Sequence, residues 1–181
     1  WERLVLVCSA LGAAADARSA PRYVAQHALA LALNEQPDEA LALLGGDAPA
    51  IRSAKARVLA FARRPSKEAA EQCLATENLL PAERTWCQLA NVADAVRRGA
   101  RAEAHAALET LGDARPPGDA SFRWLLANLL LQIEDAEAAG AAMEGLNADG
   151  PTAMPALRGT TLARRALASD DSAGALAVLS S

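Results

Sequence analysis

Three segments of the chain repeat the same order of residue types at a spacing of 35 residues. A shift of 35 positions superposes Ala69, Ala104 and Ala139, and the twelfth residue after each alanine is a proline (Pro81, Pro116 and Pro151). Apolar residues follow at +4 and mostly at +7, and these positions share one helix face. A proline stops one helix and can begin the next, because its missing N–H costs nothing there. Each unit is therefore predicted to hold a short helix, a proline-marked turn and another helix.

The composition favours helices over strands. Hydrophobic residues make up 52% of the 181 residues but aromatic residues only 3%, so Ala, Leu and Val must form the core. Ala and Leu are good helix formers, whereas β-branched residues, which favour strands, are sparse. Short loops make neighbouring helices antiparallel. We expect an all-α protein with a single domain over residues 1–181, built from five helix pairs and an N-terminal single helix, about eleven helices in total. The missing initiator Met suggests a fragment of a longer chain, or a processed one.

Local signals place several helix ends. We predict helices over about residues 50–63, 82–98 and 120–134, and Gly99 as the residue that ends the second of them. Asp38 is expected to cap a short helix after Pro37. The apolar stretch at residues 4–15 is too short to span a membrane. It resembles the apolar part of a secretion signal, but its helical periodicity favours a packed helix.

Three cysteines, Cys8, Cys73 and Cys87, lie far apart and form no C-x-x-C motif. Their odd number favours reduced, buried thiols. One disulfide, between Cys73 and Cys87, stays open as an alternative. We expect a cytoplasmic protein, with the periplasm as the alternative.

Neither the charge nor the motifs indicate catalysis or nucleic-acid binding. The net charge of −4 disfavours a nucleic-acid surface. His27 and His105 are the only histidines, and neither belongs to a zinc-binding motif. No phosphate-binding glycine loop or nucleophile elbow is present, and the carboxylates are scattered. We therefore expect no enzyme activity, no cofactor, no metal, no nucleic acid and no membrane insertion.

The repeated unit resembles the tetratricopeptide repeat, whose units are helical hairpins of about 34 residues. Its small second-helix residue is matched by Ala40, Ala69, Ala104 and Ala139, its closing proline by Pro81, Pro116 and Pro151, and its first-helix opening by WCQLA at 86–90. The resemblance covers about residues 21–179. It implies a right-handed superhelix (solenoid) of antiparallel helix pairs, with the first helix of each pair lining a concave groove.

The same resemblance implies a groove that binds a partner peptide or helix. Aligned on WCQLA, the groove residues are Arg84, Gln88, Asn91 and Asp94, extended by Asn128 and Gln132. A second alignment, on Ala104 and Pro116, would instead point Trp86, Leu89, Ala93 and Val96 into the groove. We prefer the first, because it buries Trp86, Leu89, Ala90 and Ala93 together. Core packing is the favoured role of Trp86 and Trp124, with an exposed indole edge as the alternative.

The resulting expectation is a non-catalytic scaffold or adaptor for protein–protein interaction. Similar bacterial repeat proteins serve secretion, pilus, export or motility assemblies, so this chain is expected to act in one of them. The alternatives are the interaction or sensor region of a larger regulator, and a secretion chaperone. The apolar end, with Leu176, Val178 and Leu179, either docks on its own stack or contacts another copy to form a homo-oligomer.

Overall fold

The computed structural model of the protein describes residues 20–112, 120–146 and 155–180. Every regular element in these ranges is an α-helix, which confirms the all-α class. The described residues hold ten helices; the expected N-terminal helix lies outside them. The helices are α1 Ala20–Leu33, α2 Pro37–Leu43, α3 Pro49–Phe61, α4 Lys67–Leu74, α5 Pro81–Arg97, α6 Arg101–Leu111, α7 Ala120–Gln132, α8 Ala136–Met143, α9 Pro155–Ala168 and α10 Ser172–Ser180.

Prolines begin helices, as the sequence predicts. Pro37, Pro49, Pro81 and Pro155 are the first residues of α2, α3, α5 and α9; Pro116 and Pro151 lie outside the described residues. The prediction for Asp38 is wrong. Gln36 occupies the cap position of α2, and Asp38 lies in the first turn, where its carboxylate pairs with Arg64 at 2.7 Å. An acidic side chain there is favourable because the helix N-terminus carries partial positive charge.

Consecutive helices of the described residues pack in five pairs, and because at most five residues join the helices of a pair, each pair is an antiparallel hairpin. The chain divides into two compact units between Ala114 and Arg115. We call α1, α3, α5, α7 and α9 the first helices, and α2, α4, α6, α8 and α10 the second helices. In the first unit, α3 packs against both helices of the preceding hairpin, and α5 does the same. In the second unit, α9 packs against α7. The superhelical arrangement of the whole chain and its single-domain character stay predictions.

All five first helices end in the same turn. Two residues after the last helical residue of each, the backbone has a positive φ. We call these the turn residues: Glu35, Arg63, Gly99, Glu134 and Asp170. The N–H of the next residue donates to the carbonyl five positions back, over 2.9–3.0 Å (Gln36 to Leu31, Arg64 to Leu59, Ala100 to Ala95, Asp135 to Leu130, Asp171 to Ala166). These bonds define the Schellman motif, which satisfies carbonyls at a helix end. The prediction that Gly99 ends its helix is confirmed, with φ of 72°.

Counting from the turn residue reveals two rows of small buried side chains. Seven positions before it, every first helix buries Ala28, Ala56, Val92, Ala127 or Ala163. The fourth residue of every second helix is a buried alanine: Ala40, Ala70, Ala104, Ala139 or Ala175. The 35-residue repeat in the sequence predicted Ala69 for this position, whereas the equivalent residue in the structure is its neighbour Ala70. In the second hairpin the alanine lies seven positions after the turn residue, whereas in the other hairpins it lies five positions after it. A fixed repeat length therefore selects the wrong alanine in the second hairpin.

Two cysteines form a disulfide, contrary to the favoured expectation of reduced thiols. The Sγ atoms of Cys73 on α4 and Cys87 on α5 are 2.05 Å apart, and both residues are fully buried. The bond links the second helix of one hairpin to the first helix of the next. Closing a loop of about 15 residues stabilises a fold by roughly 3 kcal/mol in the chain-entropy description. Cys8 lies outside the described residues.

The aromatic side chains serve as core, as favoured above. Trp86 and Trp124 are 3% and 4% exposed. Trp86 packs edge-on against Phe61 of α3, with ring centroids 5.3 Å apart. The Arg57 guanidinium lies 3.8 Å from the centroid of the Trp86 ring. This cation–π and aromatic contact fixes α5 against α3.

Candidate functional site

Three polar side chains of α5 that reach the surface form a narrow stripe. Arg84 is exposed, and Gln88 and Asn91 are half-buried. They are four and then three residues apart, so helical geometry places them on one face. On the other side of the helix, Trp86, Leu89, Ala90 and Ala93 are buried, as expected from the preferred alignment.

Gln88 also belongs to a contact that recurs in three hairpins. Its amide nitrogen donates to the carbonyl of Thr110, near the end of α6, over 3.4 Å. Gln88 lies eleven residues before its turn residue, and Arg52 and Arg123 occupy the same position in their own helices. Arg52 donates to the Thr76 hydroxyl over 3.3 Å, and Arg123 donates to the Ala142 carbonyl over 2.9 Å and to the Glu144 carbonyl. Long donors at this position therefore hold the end of the second helix, where backbone carbonyls lack helical partners.

Asp94 does not lie on the stripe, because the structure buries it to 2% exposure. Its carboxylate accepts the backbone N–H of Ser66 over 3.0 Å at the start of α4, and bonds from Arg97 at 3.1 Å and Arg98 at 2.7 Å. The Ser66 hydroxyl donates to the Ala90 carbonyl over 2.8 Å. Asp94 thus joins α5 to the N-terminus of α4, where negative charge is favourable.

Burial raises the pKa of the Asp94 carboxyl, but the hydrogen bonds from Arg98, Ser66 and Arg97 outweigh burial and lower the pKa from 3.8 to about 2. Arg98 extends the network to Glu103 on α6 with a 2.6 Å ion pair. That contact raises the pKa of Arg98 and lowers the pKa of Glu103. The network stays ionised at neutral pH and connects α4, α5 and α6.

Asn128 and Gln132 lie in a polar cluster of the second unit. Asn128 is only 1% exposed. Its amide nitrogen donates to the Thr161 hydroxyl over 2.9 Å, and its amide oxygen accepts from Gln132 at 2.8 Å and from Arg164 at 2.9 Å. The Thr161 hydroxyl donates to the Leu157 carbonyl over 2.7 Å. The cluster joins α7 to α9, because buried polar groups require hydrogen-bond partners.

The six predicted partner-binding residues thus divide into two groups. Asp94, Asn128, Gln132 and Gln88 hydrogen-bond within their own unit. Arg84, and Asn91 two helical turns further on, face solvent at least in part. Neither of these two side chains makes a hydrogen bond or ion pair with the residues that the structure describes. They are the predicted residues best placed to meet a partner.

The described ranges contain no cluster of three or more histidine, cysteine or acidic side chains that could hold a metal. His27 is half-buried on α1 and His105 is exposed on α6.

A shallow depression of about 530 Å³ lies in the second unit, lined by residues 140–141, 143–146 and 165. Its lining has one carboxylate, Glu144, and one guanidinium, Arg165, but no serine, threonine, cysteine or histidine. None of the helices in the described ranges is long and apolar enough to cross a membrane.

Comparison of the chain with protein-family models, with curated proteins and with solved structures finds no match.

Proposed function

We propose that this protein is a non-catalytic interaction module that binds a partner peptide or helix on the solvent-exposed face of its first helices. The observation that carries the proposal is the stripe on α5. Arg84 and Asn91 face solvent there, opposite a buried apolar face. Surface hydrogen-bond donors without internal partners suit recognition of another chain, and the arginine can bind a carboxylate through two hydrogen bonds.

The scaffold around the stripe supports the same function. The disulfide, the Asp94 network and the Arg57–Trp86 contact hold α3, α4 and α5 together. A rigid surface loses less conformational entropy when it binds a partner. We propose that the hairpins continue as a tetratricopeptide-like, right-handed solenoid, and that the protein acts as a scaffold in a bacterial secretion, pilus, export or motility assembly.

The disulfide bears on the compartment. Structural disulfides persist in oxidising compartments and are rare in the cytosol, where thiols are kept reduced. The Cys73–Cys87 bond therefore favours the periplasmic alternative over the cytoplasmic expectation. We propose that the protein matures in an oxidising compartment.

Site-specific photo-crosslinking in the cells that produce the protein tests the interaction. A photoreactive amino acid is placed at Arg84 or at Asn91, and at the exposed Glu109 of α6 as the matched control. We expect one adduct of defined mass, identified by mass spectrometry, from α5 and not from α6. Equal adducts from both helices, or none from α5, would contradict the proposal.

The terminal helices support self-association as a second candidate. Leu167 on α9 and Leu176 on α10 are 55% and 67% exposed, which is high for large apolar side chains. Light scattering of the protein and of its Leu167→Lys, Leu176→Lys variant tests this. A dimer that dissociates in the variant supports self-association, and a monomer in both refutes it.

A further inference from the structure

We propose that the partner binds the first unit through an acidic stretch of extended chain, which lies across α1, α3 and α5. This inference rests on the proposed function and specifies the chemistry of the partner. It is carried by a row of side chains that crosses the three helices, and by the separation of charge between first and second helices.

The row consists of His27, Lys55 and Asn91. Each stands eight residues before the turn residue of its own helix, and the next residue of each helix is the small buried one described above. Since α3 packs against α1 and α5 packs against α3, equivalent positions on the three helices form one line. Packed helix axes are about 8–10 Å apart, so the row spans roughly 20 Å. An extended segment of about six residues covers that length.

The side chains of the row are open to a partner. Lys55 is exposed, and His27 and Asn91 are half-buried. None of the three side chains makes a hydrogen bond or ion pair within the ranges that the structure describes. Arg84 extends the row along α5, because it precedes Asn91 by two helical turns.

Charge on the first unit is separated by helix type. Neither α1 nor α3 contains an acidic residue. The two acidic residues of α5 are both engaged internally: Glu83 accepts the Leu80 N–H over 3.0 Å, and Asp94 is buried. Six carboxylates lie instead on the second helices: Asp38, Glu39, Glu68, Glu71, Glu103 and Glu109. Three of these six pair with cations: Asp38 with Arg64, Glu71 with Lys67 and Glu103 with Arg98. The cations of the first helices therefore attract an acidic segment, and the remaining carboxylates make the second helices a less favourable surface for it.

A carboxylate before α3 engages the other cation on the N-terminal side of Lys55. Asp47, before α3, pairs with Arg52 at 3.2 Å, and Arg52 also bonds Thr76. Arg52 is therefore engaged within its own hairpin. Lys55 and Arg84 are the cations that can bind a partner on this surface. Two cations with flanking amide and imidazole donors suit the carboxylates and carbonyls of a peptide. Nucleic acids depend on many phosphate contacts, and the chain as a whole carries a net charge of −4.

Fluorescence anisotropy at low ionic strength tests the proposal with a labelled octapeptide of alternating Glu and Ser, and with its Gln–Ser counterpart as the neutral control. The test variant is Lys55→Gln, Arg84→Gln. The matched variant Lys67→Gln, Arg101→Gln removes the same charge from α4 and α6. We expect saturable binding of the acidic peptide alone. Its affinity should fall about tenfold in the test variant, which removes two exposed ion pairs, and stay unchanged in the matched variant.

Several results would overturn the proposal: equal affinity for both peptides, equal loss in both double variants, or an oligothymidylate that binds the same surface as tightly as the acidic peptide. Circular dichroism melting curves establish that the variants are folded. If cross-links form at Asn91 but the acidic peptide does not bind, the interaction surface stands and its acidic specificity fails. If neither occurs, the proposed function fails as well.

Discussion

Replacing Asp94 by Asn removes the charge of this buried carboxyl group while its shape and an acceptor for the Ser66 N–H are kept. The pKa of Asp94 is about 2 in the folded protein and 3.8 in the unfolded reference. At one pKa unit per 1.36 kcal/mol, the difference stabilises the folded state by about 2 kcal/mol. Because the folded pKa is the lower one, this contribution is complete above about pH 4. It is lost as the pH falls through 3.8 towards 2.

Urea unfolding at pH 7, 5, 3.5 and 2.5 measures the effect. We expect Asp94→Asn to lower the free energy of unfolding by about 2 kcal/mol at pH 7, and the gap to wild type to close as the pH falls from 4 to 2. The exposed Glu109→Gln serves as the control and is expected to change stability by less than about 0.5 kcal/mol. An Asp94→Asn variant as stable as wild type at pH 7, or a gap that stays constant with pH, would refute the assignment.

Three further variants test the scaffold by urea unfolding. Cys73→Ser combined with Cys87→Ser should lower stability by about 3 kcal/mol, and dithiothreitol should have a similar effect on wild type only; indifference to both changes would contradict the disulfide. Gly99→Ala should cost about 1 kcal/mol, because a φ of 72° is unfavourable for alanine. No atom lies within 4 Å of the added Cβ, so no steric clash adds to this cost. Unchanged stability would argue against the left-handed turn. Asn128→Leu should cost about 2 kcal/mol, since Thr161, Gln132 and Arg164 each lose one hydrogen bond; a neutral result would mean that the cluster is not stabilising.

Helical periodicity and proline predict most of the described helices but not the turns between them. Pro81 begins a helix as predicted, and Gly99 ends one. The four other turn residues are not glycine, so no residue type marks them in the sequence. Their left-handed backbone follows from the packing of the second helix against the first, which overrides a local preference of about 1–2 kcal/mol. The longer connection after Arg63 could not be predicted either, because it too depends on helix packing and not on a residue type.

The candidate surface follows from helix geometry only in part. Arg84, Gln88 and Asn91 lie within about 60° of one another around the helix, at 100° per residue, and reach the surface as predicted. Asp94 is rotated by about 80° from Arg84 in the same projection, which turns it towards the start of α4. Its burial depends on Ser66, which is 28 residues away in sequence. A contact of that range leaves no trace in local periodicity.

The sequence favoured reduced thiols over the disulfide, because an odd number of cysteines and a spacing of 14 residues between two of them fit either redox state. Only the packing of α4 on α5 brings the two sulfurs together. By contrast, the burial of Trp86 and Trp124 follows directly from their positions among apolar residues on the inner face of their helices.

Hydrogen–deuterium exchange of the protein with and without its cross-linked partner tests most directly whether the first helices form the binding surface. We predict that partner binding slows exchange in α3 and α5, around Lys55 and Asn91, and leaves α4 and α6 unchanged. Slower exchange confined to the second helices, or no change in either set, would contradict the proposed binding surface.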